Sequence, residues 1–142
     1  MKKIALLVSA TALLIAIACQ HKDANLFFKL DTPFSLDQGN LSAWEENDVV
    51  QVRFEKVIAD SRCPVDAICV WAGRVEVKVS FTQAGNSQTQ ILALGDNAGT
   101  AFSNIATFGD FTVELLSVLP APKSDYEIPQ NEYKIEVVVK KE

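Results

Sequence analysis

Val75-Glu76-Val77-Lys78-Val79-Ser80-Phe81 decides the fold, because every second side chain is apolar and those between are charged or polar. Successive side chains point to opposite faces only in an extended strand, so this stretch is a strand with one buried face. The same period recurs on both sides. Upstream, Val50, Val52 and Phe54 alternate with Gln51, Arg53 and Glu55. Downstream, Phe111, Val113 and Leu115 alternate with Thr112 and Glu114, and Tyr133, Ile135, Val137 and Val139 alternate with Lys134, Glu136, Val138 and Lys140. Weaker strand candidates are Leu26 to Leu30, Phe34 to Leu36, Leu41 to Trp44, Thr89 to Leu94 and Phe102 to Thr107.

Turn-forming residues separate these segments: Gln38-Gly39-Asn40, Glu46-Asn47-Asp48, Ala84-Gly85-Asn86-Ser87, Gly95 to Gly99 and Gly109-Asp110. No stretch carries apolar residues at helical spacing over three turns, so the expected class is all-β. About eight short strands are expected to form a two-sheet antiparallel β-sandwich, since a single open sheet would leave its apolar face wet. A closed β-barrel is the alternative, because alternation does not reveal whether the sheet edges meet. Pro120, Pro122 and Pro129 stop ladder pairing and make Ala121 to Asn131 a surface loop. The length of 142 residues, 49% hydrophobic and 22% charged, fits one globular domain, expected over residues 26–142.

The first residues read differently. Lys2 and Lys3 precede an apolar run from Ile4 to Ala18, broken only by Ser9 and Thr11, as in a secretory signal. The run is shorter than the roughly 20 apolar residues that a spanning helix needs. It ends in Ile15-Ala16-Ile17-Ala18-Cys19, which resembles the lipobox of bacterial lipoproteins, with Ala16 in place of the usual leucine. Ala16-Ile17-Ala18 is equally an A-x-A site for ordinary signal peptidase, and both readings cut after Ala18. Plain secretion would leave an odd cysteine at the new N-terminus, which favours the lipoprotein reading. The resemblance implies a signal peptide over 1–18, a lipidated tether over 19–25, and acyl chains on Cys19 that hold the protein to a membrane. The expected location is the cell envelope, with the outer membrane favoured and the periplasmic or surface side left open. Lys22-Asp23 looks like a weak acidic export signal toward the surface.

Removing residues 1–18 takes away two lysines and no acid, which moves the net charge from −5 to −7. Nucleic acid requires a basic stripe that releases counterions, so it is not an expected partner. Anionic lipid also attracts Lys and Arg rather than acids.

Asp60-Ser61-Arg62-Cys63-Pro64-Val65-Asp66-Ala67-Ile68-Cys69-Val70-Trp71-Ala72-Gly73 lies between the two clearest strands. In an oxidising envelope compartment, Cys63 and Cys69 are expected to form a disulfide. A zinc site would need about four ligands, and thioredoxin-type chemistry uses C-x-x-C, so neither fits. Arg62 can pair with Asp60 or Asp66, and Trp71 can pack on the bridge. The segment resembles one found in small, uncharacterised bacterial envelope lipoproteins and secreted proteins, matching at Asp60 to Pro64 and Cys69 to Gly73. That resemblance implies a shared β-domain with a disulfide-braced loop and carries no activity with it. Two readings stand side by side: Asp60, Arg62, Asp66 and Trp71 brace the core, or they form a recognition surface on a rigid loop.

Catalysis finds little to work with. The only histidine, His21, sits in the tether, which removes Ser-His-Asp and Cys-His arrangements from the folded domain. No phosphate loop or dinucleotide fingerprint is present, and no spacing singles out a carboxylate pair. No cofactor or metal is expected; Asp96-Asn97, Asp110 and Glu45, Glu46 and Asp48 read as turn chemistry rather than a Ca²⁺ loop. Trp44 reads as a core residue, with sugar stacking as the alternative. Three functional classes follow: a non-catalytic envelope protein, binding or structural; a secreted inhibitor or module binding a protein or glycan; and, least supported, a small hydrolase.

Overall fold

A computed structural model describes residues 27–96 and 101–142. The signal segment 1–18, Cys19, the tether 19–25, Leu26 and residues 97–100 lie outside the described residues. The described chain forms nine strands: β1 (Phe27–Phe28), β2 (Phe34–Asp37), β3 (Leu41–Trp44), β4 (Asn47–Asp60), β5 (Arg74–Gln83), β6 (Asn86–Gly95), β7 (Ile105–Phe108), β8 (Phe111–Leu119) and β9 (Lys134–Lys141). A short 3₁₀ turn at Gln130–Glu132 leads into β9. One sheet has five strands in the order β1-β3-β4-β5-β6, the other four in the order β2-β9-β8-β7. The sheets stay separate, so the protein is a two-sheet β structure and the closed-barrel alternative falls away.

The alternating residues meet in one core between the sheets. Val50, Val52, Phe54, Val75, Val77, Val79 and Leu92 from the larger sheet face Leu36, Val113, Leu115, Ile135, Val137 and Val139 from the smaller. Trp44 is half-buried and meets the Phe111 ring edge-on with centroids 6.1 Å apart, so it belongs to the core and not to a sugar platform.

β4 is much longer than the alternation Val50 to Phe54 suggested, and two register shifts explain how it continues. Strict period two would place Lys56 inside after Phe54. The shift between Phe54 and Lys56 keeps Lys56 exposed and brings Val57 into the core instead. β8 does the same between Leu115 and Ser117, exposing Leu116 and burying Val118.

One strand pair departs from the antiparallel expectation: β1 runs parallel to β3. Between them the chain crosses to the other sheet as β2, so no hairpin dictates their relative direction. β7 begins at Ile105, later than the Phe102 start read from sequence.

The two ends of the sandwich differ. The β5–β6 turn sits at one end, where Ala84 and Gly85 both take positive φ, as a two-residue hairpin turn requires. The chain terminus lies at that same end, where the Glu142 N–H donates to the Asp110 carbonyl. At the other end, β4 runs into residues 61–73 and β8 runs into residues 120–133. Among the described residues no helix is long and apolar enough to cross a membrane.

Candidate functional site: the braced loop at one end of the sandwich

Asp60 is the last residue of β4, and its carboxylate organises everything that follows. The Arg62 guanidinium grips it with two parallel bonds, Nε to Oδ1 at 2.8 Å and Nη2 to Oδ2 at 2.6 Å. The Arg62 backbone N–H donates to the same carboxylate at 3.2 Å, and the Tyr133 hydroxyl donates to Oδ2 at 3.1 Å. The remaining guanidinium donors cross to the other sheet, reaching the carbonyls of Val118 at 2.6 Å and Pro120 at 2.9 Å. With side chains only 10% and 19% exposed, Asp60 and Arg62 form a clamp joining the end of β4 to the end of β8. A planar fork suits this task because it satisfies a carboxylate and two carbonyls at once.

Burial by itself pushes the Asp60 carboxyl up. The hydrogen bonds and charge of Arg62, with the Tyr133 hydroxyl, outweigh it and hold the group below its ordinary value. Tyr133 moves the opposite way: burial first, then the charge and hydrogen bond of Asp60, push it up to about 12. Tyr126 is also raised, chiefly by its hydrogen bond to Glu132. Both tyrosines of the chain are thus shifted upward. An ultraviolet titration of the folded protein should show less tyrosinate at pH 10 than two unperturbed tyrosines, each half ionised there, with Tyr133 still largely neutral. The sign follows from linkage: a raised folded pKa contributes stability fully present below about pH 10 and lost as pH rises toward 12. A full two-tyrosine transition centred near pH 10 in the folded state would refute this.

The loop base is closed by Ser61, whose N–H donates to the Arg74 carbonyl at 2.8 Å while its hydroxyl accepts from the Arg74 N–H at 3.2 Å. Gly73 presses against this contact so closely that a Cβ there would overlap the Ser61 carbonyl. Above the base, Cys63 and Cys69 are joined in a disulfide with Cα atoms 5.9 Å apart. The neighbouring loop braces the far side: the Val65 N–H donates to the Pro122 carbonyl, and the Ser124 hydroxyl and N–H both donate to Asp66. Those two bonds, the hydroxyl first, hold the Asp66 carboxyl below its ordinary value.

The four residues proposed as a recognition surface therefore separate. Asp60 and Arg62 are turned inward and engaged with each other, Asp66 is exposed but held by Ser124, and Trp71 is 68% exposed. Around it, Val65, Ile68 and Val70 are 67%, 102% and 90% exposed, side chains that sequence reasoning passed over. The available signal was an apolar run with no strand period in a segment rich in turn residues. No family model, curated protein or solved structure matches this chain.

Beside Trp71 lies a shallow groove of about 380 Å³ bordered by Gly73, Arg74, Glu76 and Asp96. Arg74 and Glu76, both on β5, are bonded to each other at 2.7 Å in its wall. Among the described residues no three His, Cys, Asp or Glu side chains gather as a metal site.

Proposed function

We propose that this chain is a lipid-anchored cell-envelope protein, acylated on Cys19, whose β-sandwich is a non-catalytic module presenting loop 61–73 as its contact surface. The observation that carries this reading is the combination of bracing and exposure. Residues 61–73 are fixed by a disulfide, an arginine clamp and a closed base, yet hold four large apolar side chains in water. Scattered exposed hydrophobics are ordinary, but four carried within one braced loop point to a contact site. Rigidity lowers the ordering cost of binding.

The non-catalytic part rests on the carboxylates of this end. Asp60 accepts from Arg62 and Tyr133, Asp66 from Ser124, and Glu76 from Arg74. Their bonds account for these carboxylates as bracing, which supports the non-catalytic reading. The disulfide suits an oxidising compartment, in keeping with export. Attachment to a membrane rests on the lipobox-like Ile15 to Cys19 alone. A second reading, a glycan-binding module, draws on the groove beside Trp71, where an exposed ring adjoins polar side chains.

Feeding expressing bacteria radiolabelled palmitate tests the anchoring. The wild-type chain should take up label, and Cys19→Ala should take up none while accumulating uncleaved or soluble protein. Equal labelling of the two would overturn the assignment of Cys19.

A further inference from the structure

We infer that the loop tip, Ile68 to Trp71, dips into the headgroup and upper acyl region of the same bilayer that holds the lipid on Cys19. This rests on the anchoring proposed above and names what the contact surface touches.

From Ala67 to Gly73 the chain is Ala-Ile-Cys-Val-Trp-Ala-Gly, without a charged or hydroxyl-bearing side chain. Its cysteine is consumed in the disulfide. Ile68, Val70 and Trp71 stand in water. A protein partner is usually met by an apolar centre with polar groups that set its register. This tip offers no side-chain hydrogen bonds apart from the indole N–H. Apolar residues beside a tryptophan are the composition of an interfacial membrane contact.

The direction of the chain agrees. Phe27 is level with Ala43, and Ala43 with Gln51, while β1 runs toward the start of β4. The described chain therefore begins at Phe27 with its start turned toward the side of Asp60, the end that carries the loop. Eight residue steps separate Cys19 from Phe27 and can span about 27 Å. The nine steps from Gln51 to Asp60 along β4 cover about 30 Å. Fully extended, the tether falls short of the level of Asp60, so the acyl chains and the loop tip share one surface only when the sandwich axis is tilted toward the bilayer. An anchored loop also meets the bilayer at high effective concentration, so a shallow contact suffices.

Charge limits the depth and selects the lipid. Asp66 flanks the tip, and Asp125, Glu127 and Glu132 stand on the adjacent loop against a single Lys123. Insertion therefore favours zwitterionic over anionic surfaces.

The experiment reconstitutes the native acylated protein into vesicles of phosphatidylethanolamine and phosphatidylcholine, with and without bromine on the upper acyl carbons. Trp44→Phe leaves Trp71 as the sole tryptophan, and Trp71→Phe leaves Trp44 as control. The expected result is a blue shift and loss of most Trp71 emission in brominated vesicles, with Trp44 emission unchanged. Ile68→Ser with Val70→Ser in the Trp44→Phe protein should leave it anchored and restore the emission. Protein that floats with the vesicles while Trp71 stays unquenched overturns the insertion alone. Shielding of Trp71 only after envelope proteins are added overturns it in favour of a protein partner. Protein that neither takes up palmitate nor floats overturns the anchoring as well.

Discussion

Arg62→Ala should lower the stability of the folded domain by about 3 kcal/mol and its melting temperature by about 12 °C. The substitution does more than delete an ion pair. It leaves the Asp60 carboxylate, 10% exposed, with two neutral donors, the residue-62 backbone N–H and the Tyr133 hydroxyl, and it strips the carbonyls of Val118 and Pro120 of their guanidinium partners. Breaking one side of a buried pair costs about 3–5 kcal/mol; a pair at 10% and 19% exposure belongs near the lower end of that range. Arg62→Lys should recover only part of the loss, because an ammonium carries the charge without the fork. Adding Asp60→Ala to Arg62→Ala should cost little more, since the two residues act as a unit. Acid supplies a further check. Asp60 is held below its ordinary value, so the clamp's contribution is present above about pH 4 and fades as pH falls through the folded-state value. The gap between wild type and Arg62→Ala should narrow correspondingly. Calorimetry giving Arg62→Ala a melting point within about 3 °C of wild type would show that the clamp stabilises little.

Gly73→Ala should be more damaging still, at about 4 kcal/mol or more. The added Cβ would overlap the backbone carbonyl of Ser61, and Ser61 is not free to move because its N–H and hydroxyl both bond to Arg74. The glycine is needed here for space. Gly39 provides the contrast: it has open surroundings but φ +83, so Gly39→Ala should cost only about 1 kcal/mol from the left-handed backbone. In urea, the midpoint should fall by about 2 M for Gly73→Ala and by about 0.5 M for Gly39→Ala. Equal shifts would mean that close approach at Ser61 is not what demands glycine.

Much of this architecture is legible in the alternation of apolar and polar residues. Val75 to Phe81, Val50 to Phe54 and Tyr133 to Val139 each face the core as period two requires. The cysteine pair is equally legible, because two sulfurs six residues apart between strands have few other partners. What escaped was long-range. The register shift that keeps Lys56 out of the core depends on its pairing with β5, which local pattern does not encode. Sequence left Arg62 with two possible acids. The choice of Asp60 follows from carbonyls 56 and 58 residues away that only folding brings near. Tyr133 occupied an inward position of its strand, so its hydroxyl signalled a buried acceptor without naming one. That Trp71 stands largely in water was not legible either, since sequence left the ring free to pack on the neighbouring bridge or to face outward.

The final residue, pinned by its amide to the Asp110 carbonyl, sits across the long axis of the sandwich from loop 61–73. A handle fused after Glu142 and coupled to a chip would set each molecule with its disulfide tip facing the flowing solution. Immobilised this way, the protein offers candidate ligands its untouched nose while the attachment chemistry stays a whole strand length behind.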